Sequence, residues 1–366
     1  MYDAIVIGAR VAGAPTAMLL AQKGYRVLAV DRTSFPSDTM STHFIGQEGV
    51  AALRRWDLLD AVIAAGTPPI ASLTLDFGEL RIPVPQPPDA PAYCPRRTIL
   101  DKLLVDAAAS AGAEVRERFS VQELVWEDGG VAGIRGRAAG GGTVEERARV
   151  VIGADGRHSV VARAVAPEEY NVRPALTCGY YSYWSGLALE GAEIALRPGR
   201  GILLFPTNDG LTCMGVECDR EEFAAFRADI DGTIMRAAAL VPGLAERVAA
   251  GRREERFQGG TEFPNYFRKP YGPGWALVGD AGYLKDPITG TGITDAFRDA
   301  ELLAAALDAG LSGREPLEDA LAAYEEERNA VAFPMYEVTC RLAEFRPPDA
   351  ELFQLFGNLP QPQPAS

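Results

Sequence analysis

Three glycine-bearing stretches hold the residue types from which this chain could build chemistry. The first, "AIVIGARVAGAPTAMLLAQKGYRVLAVDR", starts at residue 4 and sets Gly8 and Gly13 around Arg10, Val11 and Ala12. An apolar run that ends in glycine, followed by small residues at helical spacing, predicts a strand–turn–helix whose first amides favour a pyrophosphate. Gly8 permits the tight turn, and Gly13 lets the helix pack on the strand. Asp31, followed by Arg32, ends the next apolar run, where an acid would take the hydroxyls of an adenosine ribose. Arg10 stands where the middle glycine of such a turn belongs; it takes room from a phosphate and offers it a charge. The second stretch, "VVIGADGRHSVVAR", places Asp155 and Gly156 at the end of another apolar run, a pair that alone also reads as an ordinary turn. The third, "GWALVGDAGYLKDPITGTGITDAFRDAELLA", ends a strand at Gly279 and Asp280. Its glycine-rich loop, with Pro287, Gly290, Thr291 and Gly292, feeds a helix beginning at Ile293. The positive end of that helix would stabilise negative charge developing on a ring held above the loop.

Positioning these stretches requires an open, doubly wound sheet. The runs DAIVI and RVLAV, with a helix ended by Gly24 between them, are a β-α-β unit of about thirty residues. Residues 98–111 carry Leu100, Leu103, Leu104 and Ala107 on one helical face, and a strand at 113–118 and a hairpin region follow to about 149. Two segments depart from this pattern. The proline-rich, alternating "SLTLDFGELRIPVPQPP" reads as a hairpin, and residues 170–265 read as mostly strand around a helical stretch near 220–250. The reading is α/β, a Rossmann-like domain built from residues 1–70, 95–169 and 268–330. An antiparallel-sheet substrate domain is inserted as 71–94 and 170–267, and a helical extension and tail occupy 331–366.

Bulk composition narrows the function. With 47% hydrophobic and 23% charged residues among 366, a packed core is expected. A net charge of −14 repels phosphate backbones and anionic lipid, which argues against nucleic-acid and membrane-surface partners. Five scattered cysteines without C-x-x-C spacing suggest reduced, buried thiols in the cytoplasm. Two histidines, His43 and His158, are too few for a histidine metal site, so no metal is expected. No apolar run reaches the length of a bilayer span and no signal-like segment precedes the first strand.

Taken together and in this order, the three stretches resemble the FAD-dependent monooxygenases of the p-hydroxybenzoate hydroxylase fold, a superfamily shared with geranylgeranyl reductases and flavin-dependent halogenases. The most specific likeness is the run GD-A-x-x-x-x-x-P-x-x-G-x-G, met by Gly279, Asp280, Ala281, Pro287, Gly290 and Gly292. The family's Arg-x-x-Leu is met by Arg97 and Leu100, and its internal Asp-Gly pair by Asp155 and Gly156. Two positions depart from the pattern: Arg10, and Tyr283, where many members carry histidine.

The resemblance implies FAD as cofactor, held by Gly8, Arg10, Val11, Ala12, Gly13, Asp31, Arg32, His43, Arg97, Asp155, Gly156, Gly279, Asp280, Pro287, Gly290, Thr291, Gly292 and Ile293. It implies NADH or NADPH as transient reductant, O₂ as co-substrate, and transfer of one oxygen atom from the flavin to an aromatic or other planar, apolar small molecule. His43, Pro287 and Gly290 are the flavin-side catalytic candidates, with His43 as a proton shuttle or substrate-orienting group. Tyr181, Tyr183, Phe205 and Lys285 are the pocket candidates. Strand alternation in "CGYYSYWSG" sends Tyr181 and Tyr183 one way and Tyr180 and Trp184 the other. A monomer or homodimer is expected. Reduction of an alkene, halogenation, or a non-catalytic FAD-binding role are the alternatives; the sparse lysines and the lack of a W-x-W-x-I-P stretch weaken halogenation.

Overall fold

The computed structural model describes residues 1–87, 90–261, 263–357 and 359; the end of the expected C-terminal tail lies outside the described residues. One sheet is the Rossmann-like scaffold. Its parallel strands are Glu114–Arg116, Val27–Val30, Tyr2–Ile7, Thr143–Gly153 and Trp275–Leu277, in that spatial order, with Tyr271–Gly272 antiparallel at the edge. Ala4, Ile5 and Val6 are fully buried, as expected of a central strand covered on both faces. The helices Gly13–Gln22, Arg97–Ser110 and Gly292–Leu311 cover one face through Ala14, Ala17, Leu100, Leu104, Phe297 and Leu303. Each fully buried leucine in that layer contributes about 1.5–3 kcal/mol of transfer free energy. The meander Ser120–Glu127, Gly130–Arg137 and Thr143–Gly153 covers the other face, with Phe119, Ile134 and Trp275 in its core.

A second large sheet runs Arg252–Arg253, Thr177–Ser185, Thr212–Asp219, Arg200–Pro206, Ala192–Arg197, Ser72–Asp76 and Arg81–Pro85. Its pairs are antiparallel except Ala192–Arg197 against Ser72–Asp76. The expected Asn208-Asp209-Gly210 turn is present, with Asp209 and Gly210 both at positive φ, the backbone that joins two right-twisted strands most tightly. Alternation divides this sheet. Met214, Val216 and Cys218 pack with Trp184 against the helices Phe223–Ala228, Ile230–Ala238 and Leu244–Ala250. Cys213, Gly215 and Glu217 face the other way.

The helices Gln47–Arg55 and Leu59–Ala64 join the core through Val50, Leu53, Leu59 and Val62, and the sequence reading did not single them out. The last long helix, Leu317–Leu342, is anchored by Arg328, which is wholly buried. The Arg328 guanidinium donates to the carbonyls of Gly282 and Arg268 and to the Tyr170 hydroxyl at 3.0–3.2 Å, so this helix is tied to the loop after Asp280. All five cysteines are free and buried. Among the described residues no helix is long and apolar enough to cross a membrane, and no His/Cys/Asp/Glu cluster could hold a metal ion.

Candidate active site

A cavity of about 730 Å³ runs from the Gly8 turn to the inner face of the second sheet. It gathers Gly8, Arg10, Val11, Ala12, Asp31, Arg32, Arg97, Asp155, Gly156, Gly279, Asp280, Pro287, Gly290, Gly292 and Ile293 from the expected cofactor set. Tyr181, Phe205 and Lys285 of the expected pocket set also line it, whereas Gly13, His43, Thr291 and Tyr183 are not among its lining residues.

Backbone shape explains the glycines. Gly8 has φ +94°, and a Cβ there would lie 2.5 Å from the Ala154 carbonyl oxygen; one at Gly13 would lie 1.8 Å from the Gly8 carbonyl oxygen. Strand end, turn and helix therefore approach too closely for any side chain. Gly279, at φ +60°, approaches Ala12 in the same way, with 2.8 Å between a built Cβ and the alanine methyl. Two sequence-distant loops thus meet edge to edge below the cavity.

Asp31 is buried, and its carboxylate already accepts from the Ala9 amide at 2.9 Å and from the Thr33 amide and hydroxyl at 2.8 Å. Each carboxylate oxygen accepts more than one hydrogen bond, so lone pairs remain for a ribose. Asp155 holds the Val160 amide through Oδ2 at 2.6 Å, while its buried Oδ1 has no partner among the described residues. Burial pushes the Asp155 acid up from its ordinary range. Asp280 opens its side chain to the cavity; desolvation raises its acid, against the pull of Lys285 and Arg97.

Arg10 differs from the expectation drawn for it. Its guanidinium is turned onto Asp101 at 2.5 Å and onto Ser37 Oγ at 2.9 Å, with the Phe35 ring 5.3 Å away. Arg97 holds the other side of Asp101, with Nε 2.9 Å from Oδ1. The departure from the glycine pattern is thereby accommodated: the side chain lines the cavity, and its charge is paired with Asp101, a carboxylate that Arg97 shares.

At the third stretch, Asp286 caps the turn Pro287–Thr289 through the Ile288 amide at 3.1 Å, and Gly290 reverses the chain at φ +67°. The helix Gly292–Leu311 then starts without a side-chain cap, so its first amides are left for whatever fills the cavity. Lys285 is buried, unlike a surface pair. Its ammonium joins Asp295, which Arg298 also holds at 2.9 Å, and Arg298 reaches Asp299 at 2.6 Å. Burial pushes the Asp295 acid up, but Lys285 and Arg298 outweigh it and hold it low.

His43 has zero exposure and φ +60°, with Nε2 2.6 Å from the Tyr183 hydroxyl. Desolvation, followed by the Arg97 charge, brings its pKa down to about 3. At neutral pH the ring is uncharged and lies behind the lining, an arrangement suited to bracing a wall more than to shuttling protons. Tyr183 is equally buried, with the Arg96 guanidinium 3.8 Å above its ring. His158 does not cap the following helix; Ser159 does, through the Ala162 amide at 3.0 Å.

Sequence reasoning missed Glu217, Gly215 and Leu203 on the sheet wall, and Asp38 to Thr42 at the near edge. The signal for Glu217 was present: one acid in the alternation Cys213, Gly215, Glu217, on a strand whose other face is apolar.

A narrow glycine cradle, an unpartnered Asp155 oxygen and an uncapped helix N-terminus fit a dinucleotide whose ring end reaches the Pro287–Gly292 loop. The FAD binding domain family matches residues 1–184. The digeranylgeranylglycerophospholipid reductase of Methanosarcina acetivorans is 31% identical over 349 residues, covering 89% of this chain and 80% of that protein. Among solved structures, PqsL of Pseudomonas aeruginosa, described as a probable FAD-dependent monooxygenase, superposes with a TM-score of 0.83 at 22% identity. That match covers 98% of this chain and all of PqsL. The myxobacterial chondrochloren halogenase CndH gives 0.83 at 23% identity, covering 92% of this chain and 82% of the halogenase. The chain shares its fold with these monooxygenase and halogenase structures, and it belongs to the FAD binding domain family as an FAD-dependent oxidoreductase.

Proposed function

We propose that this enzyme is an NAD(P)H-consuming monooxygenase that inserts one oxygen atom into a planar, largely apolar small molecule. The supporting observation is the continuity of the cavity: the lining of the dinucleotide cradle passes directly into the aromatic and aliphatic face made by Tyr181, Leu203 and Phe205. A molecule on that face would stand over the ring end of the cofactor without leaving the protein. In this reading the division into a nucleotide-binding part and an inserted substrate sheet has a functional sense. One part grips the cofactor, and the other supplies the wall.

FAD, when bound, supplies the two-electron centre that links nicotinamide, O₂ and substrate. The balance is one substrate C–H becoming C–OH, with NAD(P)H and a proton carrying the second oxygen atom away as water. The chain's own residues position and insulate. Gly8, Gly13 and Gly279 would let the pyrophosphate approach the helix, and Asp31 would take the ribose. The amides from Gly290 to Ile293 favour negative charge at the ring end. The apolar wall excludes water from the reacting face.

A second reading, saturation of an isoprenoid alkene, is favoured by the 31% identity to an archaeal prenyl-lipid reductase. Oxygen bookkeeping separates the two. Oxygenation predicts O₂ uptake matched to product, with ¹⁸O from ¹⁸O₂ in that product; reduction predicts product gaining two hydrogens under argon. Product formed anaerobically at the aerobic rate would overturn the first reading.

A further inference from the structure

The inner face of the second sheet has an unusual cross-strand order. Three rows lie side by side: Tyr183–Cys213–Phe205, Tyr181–Gly215–Leu203 and Gly179–Glu217–Gly201. In the middle row a glycine stands between two large side chains, so the sheet has a trough over Gly215. A Cβ built there would stand 3.3 Å from Tyr181 Cβ, 3.8 Å from the Tyr180 carbonyl oxygen and 3.9 Å from Leu203 Cδ1, so any side chain at this position would press on Tyr181 and fill the trough. In the next row the pattern inverts, and an acid stands between two glycines. One of these, Gly179, yields its space to the acid, since a Cβ there would lie 2.9 Å from Glu217 Cγ. The recess over Gly201 is filled by Phe345 and Ile288. The trough is therefore open along the cavity and closed at one end by a carboxyl.

Glu217 has 6% exposure, and its Oε2 has no hydrogen-bond partner among the described residues. No arginine or lysine pairs with it there. A buried, unpaired carboxylate is costly, and such a group relieves the cost by taking up a proton. Burial, with Asp286 as a neighbouring acid, pushes Glu217 well above its ordinary range. An acid in that state has an O–H to donate, and its burial makes the donation matter.

We propose that the trough over Gly215 and the Glu217 carboxyl form the substrate-docking subsite, taking a flat, uncharged, mostly apolar molecule that presents a hydrogen-bond acceptor to Glu217. The inference rests on the reading that substrate lies against this wall. It adds which part of the wall holds the molecule and what polar handle the molecule carries. Tyr181 and Leu203 clasp the edges of the flat body, and the acceptor sets which carbon faces the cofactor. Anionic molecules are disfavoured, because Glu217 and Asp286 meet them with acids, and the Lys285 ammonium that lines the cavity is already joined to Asp295.

The test is calorimetric titration of the FAD-loaded protein with 2-acetonaphthone and with 2-isopropylnaphthalene, its near-isostere without the carbonyl. Wild type should bind the ketone roughly tenfold tighter, the worth of one hydrogen bond in a dry site. Glu217→Gln, whose amide still donates, should keep most of that ratio, and Glu217→Leu should erase it. Gly215→Val should weaken both probes tenfold or more while flavin content and absorbance stay as in wild type. Equal affinities in wild type, a ratio that survives Glu217→Leu, or normal binding by flavin-loaded Gly215→Val would each overturn the proposal. The titrations use neither reductant nor O₂. A finding that turnover is reductive would thus leave the subsite standing, and failure of the subsite would leave the oxygen bookkeeping untouched.

Discussion

The two walls of the cavity are built on opposite principles. On the nucleotide side, backbone does the work: Gly8, Gly13 and Gly279 bring loops within contact distance, and most polar side chains are already engaged, Asp31 with Ala9 and Thr33, Arg10 with Asp101, Lys285 with Asp295, with Asp155 Oδ1 left open. On the sheet side, the backbone is ordinary ladder and the side chains decide. Tyr181, Leu203 and Phe205 supply area, and Glu217 is left without a partner. A wall that binds an unchanging cofactor can be largely satisfied in advance. The wall facing a substrate keeps one polar group in reserve, which costs stability until the ligand satisfies it.

Substitutions should separate the walls. The largest effect is expected from Gly8→Val, which needs φ +94° and space occupied by the Ala154 carbonyl; purified protein should carry no flavin absorbance even with added FAD. Loading at wild-type level would break the claim that the backbone holds this wall.

The next effect is acid sensitivity from His43. Its folded pKa of about 3 lies below the ordinary 6.5, so between those values the unfolded chain binds the extra proton. The stability this neutral ring contributes is complete above about pH 6.5 and falls as pH drops toward 3, by up to ~1.4 kcal/mol per unit. Denaturant titrations of His43→Gln should show a flatter acid limb across that window.

A smaller loss, about 1–3 kcal/mol, should follow Tyr183→Phe, which leaves His43 Nε2 buried and unpaired; the flavin spectrum should not change. The smallest effect is expected from Arg10→Gly. Its charge is spent on Asp101, which Arg97 still neutralises, so FAD affinity should fall by less than about threefold. A tenfold loss would show instead that Arg10 leaves Asp101 to hold the pyrophosphate.

The nucleotide wall was legible in the sequence because its determinants are local. A glycine at a strand end, small residues on the next helix and a loop rich in proline and glycine each announce one backbone shape within a few residues. The sheet wall was legible only in part. Alternation correctly put Tyr181 and Tyr183 on one face and Tyr180 on the other, where it packs on Phe223 and Phe226. Alternation fixes the face of a residue but not its depth. Tyr183 proved to lie under Arg96 and against His43, away from the cavity, and Cys213 and Phe205 share its row. Alternation could have flagged Glu217, but its setting became visible only through register, since its flanking glycines, Gly179 and Gly201, sit on two other strands far away in sequence. Arg10 illustrates a third limit, because its partner Asp101 lies on a helix whose approach no local pattern specifies.

Arg328 has a consequence for the order of events during synthesis. Its guanidinium secures the loop after Asp280 from a helix that follows the whole cradle in sequence, and the cradle's own pieces are spread from Gly8 to Ile293. Nascent chains can lay down the first strands early, but the final clasp is missing until Leu317–Leu342 has left the ribosome. Acquisition of the yellow cofactor should therefore wait for that helix, and chains stalled before it should remain colourless.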